Sequence, residues 1–171
     1  MEIVMIIVLL IILVGIWVIM TRKKLACLEE NVCHAMNQIG VQLDSRARTL
    51  EMLRKTTEEL AQGELPVSRQ YENGNWEKIG ADATPKQVME QEKAMERITA
   101  QLGTVLEEHP EWKMQADCVT YLDALAGYEK MMCTSRLIYN DSVTRYNKAV
   151  RRFPANLIAW MLGFSRREYI G

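Results

Sequence analysis

Residues 3–20 are eighteen consecutive positions without one charge, followed after Thr21 by Arg22, Lys23 and Lys24. At 1.5 Å per residue, a helix of this length spans about 27 Å, close to the hydrocarbon thickness of a bilayer. A helix is also the form lipid demands, because it satisfies every backbone group within the segment. Trp17 lies near the cationic end, where its amphipathic ring suits the headgroup layer. Arg22, Lys23 and Lys24 reach the headgroups by snorkelling. The expectation is a single-span anchor with a basic flank over residues 1–22, and a second region over residues 23–171.

Three other readings of the apolar run fit less well. A cleaved signal peptide has a basic segment before a shorter apolar stretch. Here Glu2 precedes the run and the cations follow it. Leu25-Ala26-Cys27 resembles a lipidation box, but Lys24 fills its first position and three cations separate it from the run. A buried core helix does not call for an all-round apolar segment with a one-sided basic flank. The positive-inside bias then places the bulk of the chain in the cytoplasm and the N-terminus outside, at the cell (inner) membrane.

About 150 residues remain after the anchor, enough for one domain with its own core. The net charge is −1, so no nucleic acid is expected as a partner. In a reducing cytoplasm, Cys27, Cys33, Cys118 and Cys133 read as small apolar residues rather than disulfides.

The periodicity predicts an all-α fold. A first helix runs unbroken from the membrane to about Gln62, with Gly63 as its stop. Leu25, Leu28, Val32, Ala35, Ile39, Gln42 and Arg46 recur at alternating three and four, and Leu50, Leu53, Thr57 and Leu60 continue that face. This stalk would reach about 55–60 Å from the bilayer. Residues 63–84 show no helical period and read as a long loop or small hairpin. Glu72-Asn73-Gly74-Asn75 would form its turn, between Tyr71 and Trp76.

Thr84-Pro85-Lys86-Gln87 starts a second helix with a capping box and a proline at its first position; the helix ends before Pro110. A third helix spans about residues 113–153. Cys118, Leu122, Leu125, Glu129, Met132, Arg136, Tyr139, Val143, Tyr146 and Val150 form its heptad seam, a coiled-coil pattern. Such helices predict an antiparallel up-down bundle of three long helices, or of four. Three alternating helices would leave the C-terminus far from the bilayer; a fourth crossing would bring it back. Residues 154–171 form a short apolar segment, read as a lid on the bundle or as an exposed patch.

No P-loop, dinucleotide fingerprint, HExxH or nucleophile elbow is present, so no catalytic residues are expected. His34 and Cys33 diverge by about 100° on a helix and cannot easily share a metal, so neither a metal nor another cofactor is expected. His109 reads as a helix cap. The polar residues of the seams are the candidate polar core: Gln42, Arg46, Glu129, Arg136, Asn140 and Asn147. A buried Arg–Glu pair with amide partners would select helix register; the competing reading is a ligand-binding or enzymatic cavity. The candidate partner surface is Tyr71, Trp76, Leu157, Trp160, Met161 and Phe164, for a protein partner or a second copy, with the membrane surface as the alternative for the C-terminal run.

Several segments resemble the LemA family. Glu29-Glu30-Asn31-Val32 and Val41-Gln42-Leu43 with Arg46 are similar to its first motif. Residues 106–113 (LEEHPEWK) are similar to its proline-containing corner. Glu129, Arg136, Tyr139-Asn140, Val143 and Tyr146-Asn147 are similar to its last helix, and Phe153-Pro154, Asn156, Ala159, Gly163-Phe164 and Tyr169 to its C-terminal signature. Two departures are visible: the Pro-Asn pair after the first motif is replaced around Leu50-Glu51-Met52, and residues 63–84 replace a helical middle segment. The resemblance implies a single-pass bacterial membrane protein with a cytoplasmic helical bundle and no catalytic residues. Together with the residue-level reading, it leads us to expect a membrane-anchored interaction or scaffold protein.

Overall fold

The computed structural model describes residues 1–62, 76 and 78–171. Among the described residues five helices follow one another: α1 (Glu2–Leu60), α2 (Pro85–Glu108), α3 (Pro110–Lys113), α4 (Ala116–Arg151) and α5 (Ala155–Met161). Among the described residues there is no strand, and the fold is all-α. The expected Asn-Gly hairpin turn and Tyr71 lie outside the described residues.

α1 is a single helix of 59 residues. It carries the apolar segment at one end and about a third of the described bundle core at the other. The apolar segment is long and apolar enough to cross a membrane, and none of it is buried against the rest of the protein. This exposure separates it from an ordinary core helix. We call the end of the bundle joined to this segment its base. At the far end the left-handed stop falls on Gln62, with φ 55°, one residue before the glycine expected to supply it.

Leu25, Val32, Ala35, Met36, Ile39, Leu43, Ala47, Leu50 and Leu53 of α1 are buried. Leu43 is fully buried, whereas Gln42, placed in the seam by strict three-four spacing, is only half-buried. α1 faces two helices, so its apolar stripe is wider than a coiled-coil seam and admits Met36, Leu43 and Ala47 as well.

α4 is the principal neighbour of α1 and runs antiparallel to it. Glu129, Met132 and Arg136 lie near Arg46; Leu137, Asp141 and Arg145 lie across from residues between Leu28 and Gln38; Ala149 and Arg152 lie beside Met20, Thr21 and Leu25. α2 begins with the expected capping box. Thr84 N–H donates to Gln87 Oε1 at 2.8 Å, Gln87 N–H donates to Thr84 Oγ1 at 3.3 Å, and Pro85 fills the first helical turn. The α2 start lies near the middle of α1, where Ile79 meets Gly40. Its end joins the far end of the bundle through α3. α2 therefore runs in the same sense as α1, and the reversal falls between α2 and α4. This is why the α1–α2 connection is long: its two ends lie at different heights of the bundle. It is also why α4 returns the chain to the base after three helices, where strict alternation predicted the C-terminus at the far end.

Gly40 permits this arrangement. A Cβ there would overlap the Ile79 carbonyl. Glycine inside a helix costs about 1 kcal/mol relative to alanine, and here it admits the backbone of another segment.

The third helix of the sequence reading is divided. Pro110–Lys113 forms one turn, and α4 starts at Ala116. His109 does not cap α2 through its ring. The imidazole stacks on Trp112, with centroids 3.8 Å apart, and Nδ1 is 3.2 Å from Glu111 Oε1.

Candidate functional site

Three polar features follow from this packing: a charged cluster between the helices, a clamp that holds the C-terminal tail, and the base itself.

The cluster takes one residue from each long helix. Arg46 of α1 is 6% exposed, Glu92 of α2 is 3% exposed, and Arg136 of α4 donates from its guanidinium to the Glu92 carboxylate. A cavity of about 140 Å³ lies among Arg46, Glu92, Glu96, Glu129 and Arg136, with Met132 and Cys133 as apolar wall. Nε of both Arg46 and Arg136 is buried without a hydrogen-bond partner. Glu92 is the residue the sequence reading missed. Its signal was present: on α2 it falls between buried Val88 and Met95 at helical spacing. Glu129 is exposed at the cavity rim rather than in the seam. Gln42 does not line the cavity. Among the described residues no group of three His, Cys, Asp or Glu side chains could hold a metal ion.

Asn140 and Asn147 lie elsewhere. After α5 the chain turns at Gly163 (φ 78°). Phe164 N–H donates to Ala159 O at 2.9 Å and Gly163 N–H to Trp160 O at 3.3 Å, the paired bonds of a Schellman motif. The tail then runs along α4, away from the base. Asn147 Nδ2 donates to Arg167 O (2.9 Å), and Arg167 N–H donates to Asn147 Oδ1 (3.0 Å). Asn140 makes the same pair with Ile170, at 2.8 and 3.0 Å. Each side-chain amide thus pairs with a peptide group as a neighbouring strand would. The spacing explains the choice of positions. One heptad of helix rises about 10.5 Å, which three residues of extended chain also span.

Around the clamp, Tyr139 Oη donates to Glu168 O at 2.9 Å, and Ile170 is buried. Arg167 reaches α1, 2.7 Å from Glu29 Oε1, and that hydrogen bond holds its guanidinium above the usual arginine pKa. Burial pushes the Tyr139 and Tyr146 phenols above their usual range. The clamp was not visible in the sequence, because none of its side chain–backbone pairs follows a helical period.

At the base, Trp17, Met20, Thr21 and Lys24 of α1 face Arg152, Phe153, Pro154 and Ala155 across a cavity of about 430 Å³. α5 buries only Ile158 and Ala159. Leu157, Trp160 and Met161 are exposed, Trp160 by 82%, so α5 does not close over the bundle as a simple lid. Phe164 is partly buried against the core, and so is Trp76.

The family model of the LemA family matches residues 35–171, which takes in α2, α3, α4, α5, the tail and most of the bundle portion of α1. The chain belongs to the LemA family. A comparison with curated proteins finds no match. LemA membership and the exposed apolar segment of α1 together indicate a membrane-associated helical protein. The LemA-like segments that stand apart in the sequence meet in space: Tyr139-Asn140 and Tyr146-Asn147 on α4, and the run after Gly163-Phe164, are the two halves of the clamp.

Proposed function

We propose that this chain is a membrane-anchored interaction or scaffold protein, without catalytic chemistry of its own. Its anchor crosses the inner membrane once, and its bundle stands in the cytoplasm. The observation that carries this reading is the continuity of α1, one unbroken helix from the apolar segment into the bundle core. A rigid helix transmits the position of the anchor to every surface of the bundle. The cations at Arg22, Lys23 and Lys24 favour a cytoplasmic bundle by the positive-inside bias.

A surface for a protein partner or a second copy is offered by the open groove of about 510 Å³ between α1 and α4. It is lined by Leu28, Ala35, Leu137 and Ile138 together with His34 and Asp141. Leu137 is 67% exposed, an apolar side chain at mid-bundle with nothing over it. Photo-crosslinkers at Leu137 and Ile138 in intact membranes are expected to capture a protein partner or a second copy. A protein that stays uncrosslinked from both positions would overturn the scaffold reading. External protease that digests the bundle in sealed cells would overturn the orientation.

The charged cluster supports a structural role rather than a ligand site. Asn140 and Asn147, which would have completed a polar cavity, are occupied by the tail. Of the remaining groups, Arg136 of α4 pairs with Glu92 of α2 and Arg46 of α1 lines the same cavity, an arrangement that favours one relative height of the helices.

A further inference from the structure

The base presents apolar side chains to solvent at the level where the anchor leaves its apolar stretch. Phe153 is 76% exposed, Leu157 56%, Trp160 82% and Met161 75%. They belong to the α4–α5 corner, which sits against Trp17, Met20 and Lys24 of α1. From Trp17 to Lys24 the helix rises about 10 Å, enough to cross one headgroup layer of about 5–8 Å. Cations surround the same level. Arg22, Lys23 and Lys24 come from α1, and Arg151 and Arg152 from the end of α4 and its cap; all five are exposed, and Arg166 lies farther along the tail.

We propose that the α4–α5 corner is a second membrane contact: Phe153, Leu157, Trp160 and Met161 enter the boundary between headgroups and acyl chains, and the surrounding cations face anionic lipid. The inference rests on the reading of residues 3–20 as the membrane anchor. Two features select a bilayer over a protein as the occupant. The corner is continuous with the segment that enters lipid, so the anchor itself brings it to the surface. The mixture also matches an interfacial element: exposed aromatic and aliphatic side chains on one side of a short helix, arginines at its flanks, and a tryptophan at the same end as Trp17. A bundle held at both the anchor and the corner cannot swing about the anchor axis, so the groove and the clamp would keep a fixed orientation to the membrane.

The test is tryptophan quenching by brominated lipid. The full chain is reconstituted in vesicles of phosphatidylcholine and phosphatidylglycerol, and so is the W160F variant. Trp160 is 82% exposed, so this conservative change leaves the fold intact. Subtracting the two spectra isolates Trp160, since Trp17, Trp76 and Trp112 are common to both. The expected result is loss of most of the Trp160 emission with lipids brominated near the glycerol end of the acyl chain. Bromination near the methyl end should quench less. Replacing Arg151 and Arg152 together by Gln should reduce the quenching. The inference is overturned if the protein floats with the vesicles and the Trp160 emission is unquenched. It is also overturned if that emission is shielded only at high protein density, since a second copy would then be the cover. Failure to float would remove the anchor reading itself, and this inference with it.

Discussion

Asn147 of α4 and Arg167 of the tail exchange two hydrogen bonds, 2.9 and 3.0 Å long, between a side-chain amide and a peptide group. One heptad away, Asn140 repeats the arrangement on Ile170. An asparagine can make this pair because it offers a donor and an acceptor side by side. Aspartate lacks the donor and alanine lacks both.

The first prediction concerns this clamp. Asn140→Ala should cost about 1–2 kcal/mol, because a half-buried peptide donor and acceptor at Ile170 lose their partner. Asn147→Ala should cost less, because that pair is more exposed. Both should speed proteolysis after Gly163. Denaturant titration with a C-terminal protease assay measures the two effects together. A tail that stays protected in N140A would show that Asn147, Tyr139, the Arg167–Glu29 contact and buried Ile170 hold it without Asn140.

Glu92 and its arginines give the second prediction. Glu92→Ala leaves Arg136 without its counter-charge and removes the buried carboxylate from the cavity that Arg46 also lines. The expected loss is about 2–4 kcal/mol, below that for a fully dry pair because Arg136 keeps part of its side chain in water. Replacing Arg46, Glu92 and Arg136 together by Met, Leu and Met should recover most of that loss. A triple variant less stable than E92A would contradict the register role and favour specific chemistry at the cavity.

Gly40 and Gly127 supply a matched contrast. Both lie inside helices, but a Cβ at Gly40 meets the Ile79 carbonyl, whereas one at Gly127 meets nothing within 4 Å. Gly127→Ala should stabilise by up to about 1 kcal/mol through helix propensity. Gly40→Ala should destabilise by about 1–3 kcal/mol, since the contact is with backbone rather than with a flexible side chain. Thermal unfolding of the two variants against the parent decides it, and the same sign for both would refute the close approach.

The pH dependence has a defined sign. Burial raises the Cys118 thiol above its ordinary 9.0 and the Tyr139 and Tyr146 phenols above their ordinary 10.0. Above those values the unfolded chain has released protons that the folded chain retains. Stability therefore falls as pH rises. These groups contribute no loss below pH 9; the decline starts with the thiol near pH 9 and steepens above pH 10 with the two phenols. Tyr139→Phe should flatten the alkaline limb of a stability–pH curve while costing its hydrogen bond to Glu168 at neutral pH. An unchanged limb in Y139F would show that this phenol does not titrate in that range.

What could be read along the chain was local. The apolar run, the capping box at Thr84 and Gln87, the stop before Pro110 and the seam from Cys118 to Val150 rest on contacts one to four residues apart or on a simple period. Those are properties of sequence alone. Arg46 and Arg136 could be singled out the same way, as charges interrupting apolar stripes. Glu92, the partner of Arg136, also sat in such a stripe, yet that pairing spans 44 residues. The sense of α2 had no local signal either. It depends on where the α1–α2 connection delivers the chain, and Gly40 shows its meaning only once Ile79 lies over it.

The sequence by itself therefore determined the long helices, the apolar segment and the family resemblance, because backbone hydrogen bonding and hydrophobic periodicity act within a few residues. Only the tertiary structure decided that α4 returns to the base, that the two asparagines hold a tail rather than complete a polar cavity, and that α5 stands beside the anchor. Each of these depends on side chains meeting groups that lie far away along the chain. No period along the chain encodes that distance; packing chooses it, by which surfaces can be buried together.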